Sequence, residues 1–256
     1  MAQIHLVGDR PDLAILMTAY NYGDFIERAV ESALRQTAAR GSYEIVVVDD
    51  GSIDDTRERL QRFAADVRLV LMPHAGVSAA CNMGLTALRA DHFLRLDADD
   101  ELEQDAVAVF LTAIALARDA ILCSDLLEVY GDGRQVYRPV DLDNLFSLEA
   151  VGIVFPTRAV REAGGYRPLF WEEHDLMIRL RPGLRAVRIP AALYRYHKHD
   201  RSMTAQRETR LRGWSELIEH WGLDVVLRCG THPDLEHFMR KNGGGSVDAS
   251  TRAPRS

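Results

Sequence analysis

Apolar residues run together from Leu13 to Met17, and Phe25, Ile26, Ala29, Val30, Ala33 and Leu34 then recur at helical spacing. This pattern predicts a compact strand followed by an amphipathic helix. Tyr43 to Val48, rich in branched residues, predicts a second strand, and Asp54 or Asp55 can cap a helix carrying Leu60 and Phe63. Val67 to Met72 reads as a third strand, Ser78 to Leu88 as a helix and Phe93 to Leu96 as a fourth strand. The apolar run around Ala106 to Ala117 has the length of a buried helix, not of a membrane span. Past Asp119 the rhythm changes. Ala120 to Ser124 predicts a strand, and the turn Gly131-Asp132-Gly133 joins Leu127 to Tyr130 and Gln135 to Arg138 into a hairpin. Strand alternating with helix in the first half, then a hairpin, implies an α/β fold: a mixed, mostly parallel sheet flanked by helices. A short helix near Arg158 to Ala163 and an acidic helix start in Trp171 to Leu180 follow. Leu211, Trp214, Leu217, Ile218 and Trp221 give a last helix an apolar stripe that is expected to pack on the domain. One domain over residues 1–202, a helical extension over 203–242 and a flexible tail over 243–256 are expected.

The polar residues gather where the strands end. Thr18 to Asn21 follow the first strand, Asp49 to Ser52 the second, and Asp97 to Asp100 the fourth. In open α/β sheets, ligands bind beyond the carboxyl ends of the strands. Alternation along a strand would let Asp97 and Asp99 converge on one side, giving hard oxygen donors suited to Mn2+ or Mg2+, which complete their shells with substrate phosphates and water. A calcium loop is not supported, because the sixth position counted from Asp97 is Leu102 and not glycine. No glycine-rich dinucleotide or P-loop motif follows any strand, so phosphate binding here would need the metal.

Composition narrows the classes further. The 256 residues are 47% apolar, enough for a sizeable core, and the formal net charge of -7 gives no basic face for nucleic acid or broad contact with anionic lipid. The three cysteines Cys81, Cys123 and Cys229 are too far apart for a disulfide framework or zinc cluster, and the first residues lack the features of a signal peptide. A soluble cytoplasmic protein is expected, with peripheral contact at the inner membrane face left open.

From about Leu13 to Thr204 the chain resembles the family 2 inverting glycosyltransferases of the GT-A fold. The resemblance is carried by ILMTAYN, EIVVVDDGSIDDT, HAGVSAACNMGL, FLRLDADDEL, GGY followed by WEEHDLMIRL, and YRYHKHDRSMT. It implies a nucleotide-diphosphate sugar donor and a hydroxyl acceptor, whether a glycan, a lipid-linked molecule or a small molecule. Thr18, Ala19, Tyr20 and Asn21 would line the nucleoside pocket with Tyr20 beside the base, and Asp50 would accept hydrogen bonds from base or ribose. Asp97 would lie near ribose and metal, and Asp99 would hold the divalent cation. Glu173 would be the base that takes the acceptor proton, with Glu172 in reserve and Asp175 orienting the helix or acceptor. His197, or alternatively His199, would close over the metal or diphosphate. The chain departs from the family pattern at Glu173, commonly Asp, at Cys81, commonly Arg, and at Ala19, commonly Pro, and its segment from Gly165 to Trp171 is short. A lost cation at Cys81 would be expected to weaken nucleotide binding or alter donor choice. A non-catalytic nucleotide-sugar binder and a nucleotidyltransferase are the competing functions, and the latter lacks its glycine-rich basic loop after the first strand.

Overall fold

The computed structural model describes residues 10–39, 41–147 and 151–241. The tail expected from residue 243 onward lies outside them. In chain order the elements are strand β1 (Leu13–Ala19), helix α1 (Gly23–Leu34), β2 (Tyr43–Asp49), α2 (Thr56–Gln61), β3 (Arg68–Leu71), α3 (Val77–Ala87), β4 (His92–Asp97), β5 (Glu101–Leu102), α4 (Ala106–Leu116), β6 (Ile121–Tyr130) and β7 (Gln135–Arg138). Then follow β8 (Ile153–Pro156), α5 (Thr157–Glu162), α6 (Glu172–Leu180), β9 (Ala186–Lys198), α7 (Arg207–Trp221), α8 (Leu223–Cys229) and α9 (Pro233–Lys241).

All strands join one mixed sheet in the order β3-β2-β1-β4-β8-β6-β9-β5, with β7 paired to β6 outside that path. The first four are parallel, whereas β8 runs antiparallel to both β4 and β6. Successive residues of β1 feed opposite cores. Leu13, Ile15 and Met17 pack with Ile26, Val30 and Phe110 on one face, while Ala14 and Leu16 pack with Leu85, Leu176 and Trp214 on the other. Burial on both faces explains why β1 reads as an unbroken apolar run. The apolar stripe of α7 packs inward as expected, with Trp214 and Leu217 buried. Among the described residues no helix is long and apolar enough to cross a membrane.

The second half departs from expectation in two ways. The two strands expected over Ala120 to Ser124 and Leu127 to Tyr130 merge into a single ten-residue strand, β6, that begins at Ile121. Its partner β9 has thirteen residues, yet a proline and several charged residues break the apolar pattern there. The β6–β9 register shifts around Asp125, where Pro190 and Ala191 have no partner in the ladder. A bulge of this kind accommodates proline, which has no N–H to give. At its far end β9 pairs with β5, Glu101 opposite Arg195, and that pairing carries the 197–204 segment to the end of β4.

Gly51, in the turn after β2, has φ +75, and a Cβ placed there would lie 2.5 Å from the backbone nitrogen of His74. Both the left-handed backbone and the contact with main chain oppose a side chain. Gly51→Ala is expected to lower stability by about 1–3 kcal/mol, seen in urea unfolding as a lower midpoint at unchanged slope. An unchanged midpoint would mean that the 74–76 loop yields freely.

Candidate active site

The loops after β1 and β2 are built as one clamp. Asn21 takes a left-handed backbone, φ 60, which asparagine tolerates better than most residues. Its N–H donates to Ser52 Oγ at 3.0 Å and its Oδ1 accepts from the Ile53 N–H at 2.9 Å. Tyr22 N–H donates to Thr56 Oγ1 and Gly23 N–H to Asp54 Oδ2. Asp54, with Oδ1 on the Thr56 N–H, therefore serves the start of α2, and Asp55 makes no side-chain cap bond. Buried Asp50 accepts the N–H groups of Ala75 and Gly76 at 2.8 and 2.9 Å and pairs with His74 Nδ1 at 2.9 Å. Tyr20 stacks on that same His74, ring centroids 3.8 Å apart. The result is a flat aromatic surface beside a carboxylate at the mouth of β1 and β2.

Opposite this clamp, the start of α6 is drawn onto β4 by Arg95. Its Nη2 is 2.8 Å from Asp97 Oδ1, its Nη1 is 2.7 Å from Glu172 Oε1, and its Nε is 3.0 Å from Glu173 Oε1. The contact with Glu173 is an ion pair without hydrogen-bond geometry, which leaves that buried oxygen without a hydrogen bond. Burial raises both glutamate pKa values above the usual carboxylate range, against the lowering pull of Arg95. Arg95 Nη1 also lies 3.9 Å from Cys81 Sγ. A guanidinium from β4 therefore lies near Cys81, already paired with three carboxylates. Burial pushes the Cys81 thiol up to about 12, so it stays neutral.

The approach to α6 is fixed from α3. The Asn82 side chain donates to Tyr166 O and accepts from Tyr166 N–H, both at 2.8 Å, and Ser78 Oγ donates to Arg167 O. Asp175 is wholly buried and anchored by Arg179 at 2.8 Å and by the Trp221 Nε1–H at 3.0 Å. These contacts tie it to α6 and α7, and it is not among the cavity-lining side chains.

Asp97, Asp99 and Asp100 bring carboxylate oxygens within 4.8 Å of one another. The convergence differs from that expected: β4 ends at Asp97, and a turn, not strand alternation, swings Asp99 and Asp100 back. Buried Tyr194 of β9 pins the turn, accepting the Asp97 N–H at 3.0 Å and donating to Asp100 Oδ2 at 2.8 Å. Asp100 Oδ1 accepts the His197 N–H at 2.7 Å. Asp100 is thus occupied by the protein, and Asp97 and Asp99 face the cavity. Burial first, and then the Asp97 charge, raises the Asp99 pKa; burial and the charges of Asp99 and Asp97 raise that of Asp100 well above the ordinary range. A crowded set of hard oxygen donors whose charges oppose one another fits a divalent cation held by Asp97 and Asp99.

The two histidines separate. His197 Nε2 lies 2.8 Å from Glu101 Oε1, and burial together with Arg28 lowers its pKa. Its ring is engaged away from the aspartates, whereas His199 Nε2 lies 2.9 Å from Asp99 Oδ2 and its ring stacks on Phe25 at 4.6 Å. Of the two histidines, His199 is the one in contact with Asp99. Thr18, Ala19, Tyr20, Asn21, Asp50, Asp97, Asp99 and Glu173 all border one cavity of about 520 Å³; neither His197 nor His199 does. Absent from the expected set are Arg95 and His74. Arg95 carries a legible signal, a charge in the middle of the apolar strand FLRLD, which must find partners when buried. His74 carries none, since its stacking on Tyr20 spans two loops far apart in sequence.

A family model for glycosyl transferase family 2 matches residues 14–173. The chondroitin synthase of Escherichia coli is 39% identical over 104 residues, which cover 40% of this chain and 15% of that protein. The chain therefore spans far less than two thirds of that curated relative. The crystal structure of S. aureus TarS 1–349 superposes with a TM-score of 0.67 at 16% identity, covering 91% of this chain and 74% of that one. The mannosyltransferase PcManGT from Pyrobaculum calidifontis, solved with GDP-Man and Mn2+, gives a TM-score of 0.64 at 18% identity, covering 91% and 69%. At these identities the likeness to the solved structures is one of fold.

Removing one partner of a buried ion pair strands the others. Arg95→Met is expected to cost about 3–5 kcal/mol at neutral pH. Without the guanidinium, the folded-state pKa of Glu172 and Glu173 rises further above the unfolded value of about 4.3. The folded state then binds more protons than the unfolded one, and stability increases as pH falls from neutral toward that value. Denaturant titrations across pH should show the deficit shrinking on mild acidification; a deficit independent of pH would mean that the carboxylates do not depend on Arg95.

Proposed function

The chain belongs to glycosyl transferase family 2, and on that premise we propose that its cleft moves a sugar from a nucleotide-diphosphate donor to an acceptor hydroxyl with inversion at the anomeric carbon. One observation carries this reading: the Asp97–Asp99 pair and the Glu172–Glu173 pair border the same cavity from two segments far apart in the chain, with Arg95 tying them together. The stacked Tyr20 and His74 offer a face for a nucleobase, and Asp50 stands beside it with lone pairs left for base or ribose. Asp97 and Asp99 would hold Mn2+ or Mg2+, which supplies charge neutralisation to a departing diphosphate. The binding of GDP-Man and Mn2+ by the Pyrobaculum enzyme and of UDP-GlcNAc by TarS supports a metal and a nucleotide sugar in this cleft without fixing which. His199 is the histidine suited to approach that metal.

Glu173 is the group assigned to the acceptor. Its carboxylate takes the hydroxyl proton while the oxygen bonds to the anomeric carbon, and the bond from that carbon to the diphosphate oxygen breaks with its electron pair leaving on the diphosphate. A single displacement of this kind inverts the anomeric configuration. Burial aids the transfer, because a carboxylate with raised pKa is a stronger base, and the acid limb of the rate profile should lie above the ordinary glutamate range.

Glu173→Gln keeps the size of the side chain and removes its basicity. Transfer should fall by about 10²–10⁴-fold, while binding of the donor nucleotide with Mn2+, followed by calorimetry, is retained. Glu172→Gln under the same assay decides between neighbours. Wild-type turnover in Glu173→Gln would remove it as the base.

A further inference from the structure

One wall of the cavity is left over once the donor site and its carboxylates are assigned. It is formed by Phe170 and Trp171, both half-buried and immediately before Glu172. Their rings meet edge to face, centroids 4.7 Å apart at 82°, and make a corner. Helix α7 builds this corner. A Cβ at Gly213 would lie 2.3 Å from Phe170 Cδ1 and 2.8 Å from Trp171 Nε1, so the two rings rest on bare helix backbone. Glycine inside a helix is less favourable than alanine, and here the close approach of the rings accounts for it. Glu216 Oε2 accepts the Phe170 N–H at 3.1 Å, and Trp214 packs 5.4 Å from Trp171.

Behind the corner lies a small annex of about 40 Å³, bordered by Trp171, His174, Tyr196 and Thr204, which also border the main cavity, and by Trp214. Trp214 is 1% exposed, and its buried Nε1–H has no hydrogen-bond partner among the described residues. Leaving a buried donor of this kind unsatisfied opposes folding. An oxygen substituent that reached this donor would relieve it.

These features select a ligand. Aromatic faces match the C–H face of a sugar ring, while Ser202, Thr204 and Glu172 around the cavity offer partners to its hydroxyls. A long-chain alcohol would leave that polar rim unpaired, and an anionic acceptor would set its charge against Glu172 and Glu173. On the transferase reading given above, we propose that the Phe170–Trp171 corner is the acceptor platform and that it takes an uncharged carbohydrate ring.

Saturation-transfer difference NMR on the full chain with Mn2+ and UDP or GDP tests this. The probes are cellobiose, lactose, maltose and N,N′-diacetylchitobiose, a glucuronic acid disaccharide as the anionic arm, and dodecanol in phosphatidylcholine vesicles as the lipid arm. At least one neutral disaccharide should bind, with saturation concentrated on the protons of one ring face. Trp171→Ala should weaken that binding about tenfold, the worth of an aromatic contact, and Trp171→Phe much less. Gly213→Ala, which alters no group that touches ligand, should weaken it comparably by displacing the corner while nucleotide affinity holds. Saccharide binding indifferent to Trp171→Ala would overturn the proposal. So would response to the vesicle alcohol or the anionic disaccharide alone, or no saccharide binding to a protein that does bind nucleotide. Failure of every nucleotide would instead bring down the transferase reading, and the platform with it.

Discussion

Arg95 lies inside β4 between the apolar residues Leu94 and Leu96, and three carboxylates from two segments nearly eighty residues apart converge on it. The Glu172 pair spans 77 residues of sequence. Ion pairs in such a place add little net stability by themselves, because desolvation offsets most of the attraction. Their effect here is geometric. With Arg95 fixed by the sheet, the first turn of α6 can approach β4 in one way, and the glutamates face the aspartates across the cavity. The three acidic residues in that turn also suit the positive end of the helix.

The rest of the molecule holds the two ends of this connection. Tyr194 and the β5–β9 pairing hold the aspartate turn, while Asn82, Arg179 and α7 hold the approach to α6 and its first turns. The C-terminal helices are thereby drawn into the site's construction: Gly213, Glu216 and Trp221 each touch the segment from Phe170 to Asp175. Residues that would read as surface or core on their own helix decide where a carboxylate stands on another.

The first half of the fold is legible in the sequence because β1, β2 and β4 are buried on both faces and punctuated by polar loops. Strand β9 is not, since Pro190 and its charged neighbours obscure a ladder formed with β6, a strand some sixty residues earlier in the chain. The same limit governs the site. Thr18 to Asn21, Asp50 and the aspartates are short motifs at predictable strand ends. The choice between His197 and His199 depends on where β9 stops and which way its last side chains face, and motif spacing does not contain that. Asn21 shows a subtler limit: it borders the cavity as the family resemblance implies, yet its side-chain oxygen is already taken by the Ile53 N–H.

On the proposed function, this cleft gathers acidic groups in order to receive a divalent cation together with a nucleotide diphosphate. Thermal unfolding of the full chain with UDP, GDP or TDP, each with Mn2+, Mg2+ or chelator, addresses it most directly, since a ligand that binds only the folded state raises the midpoint by mass action. Stabilisation by one nucleotide that requires the metal and is lost in Asp99→Asn is expected. Stabilisation that persists in chelator, or no response to any nucleotide and metal together, would contradict it.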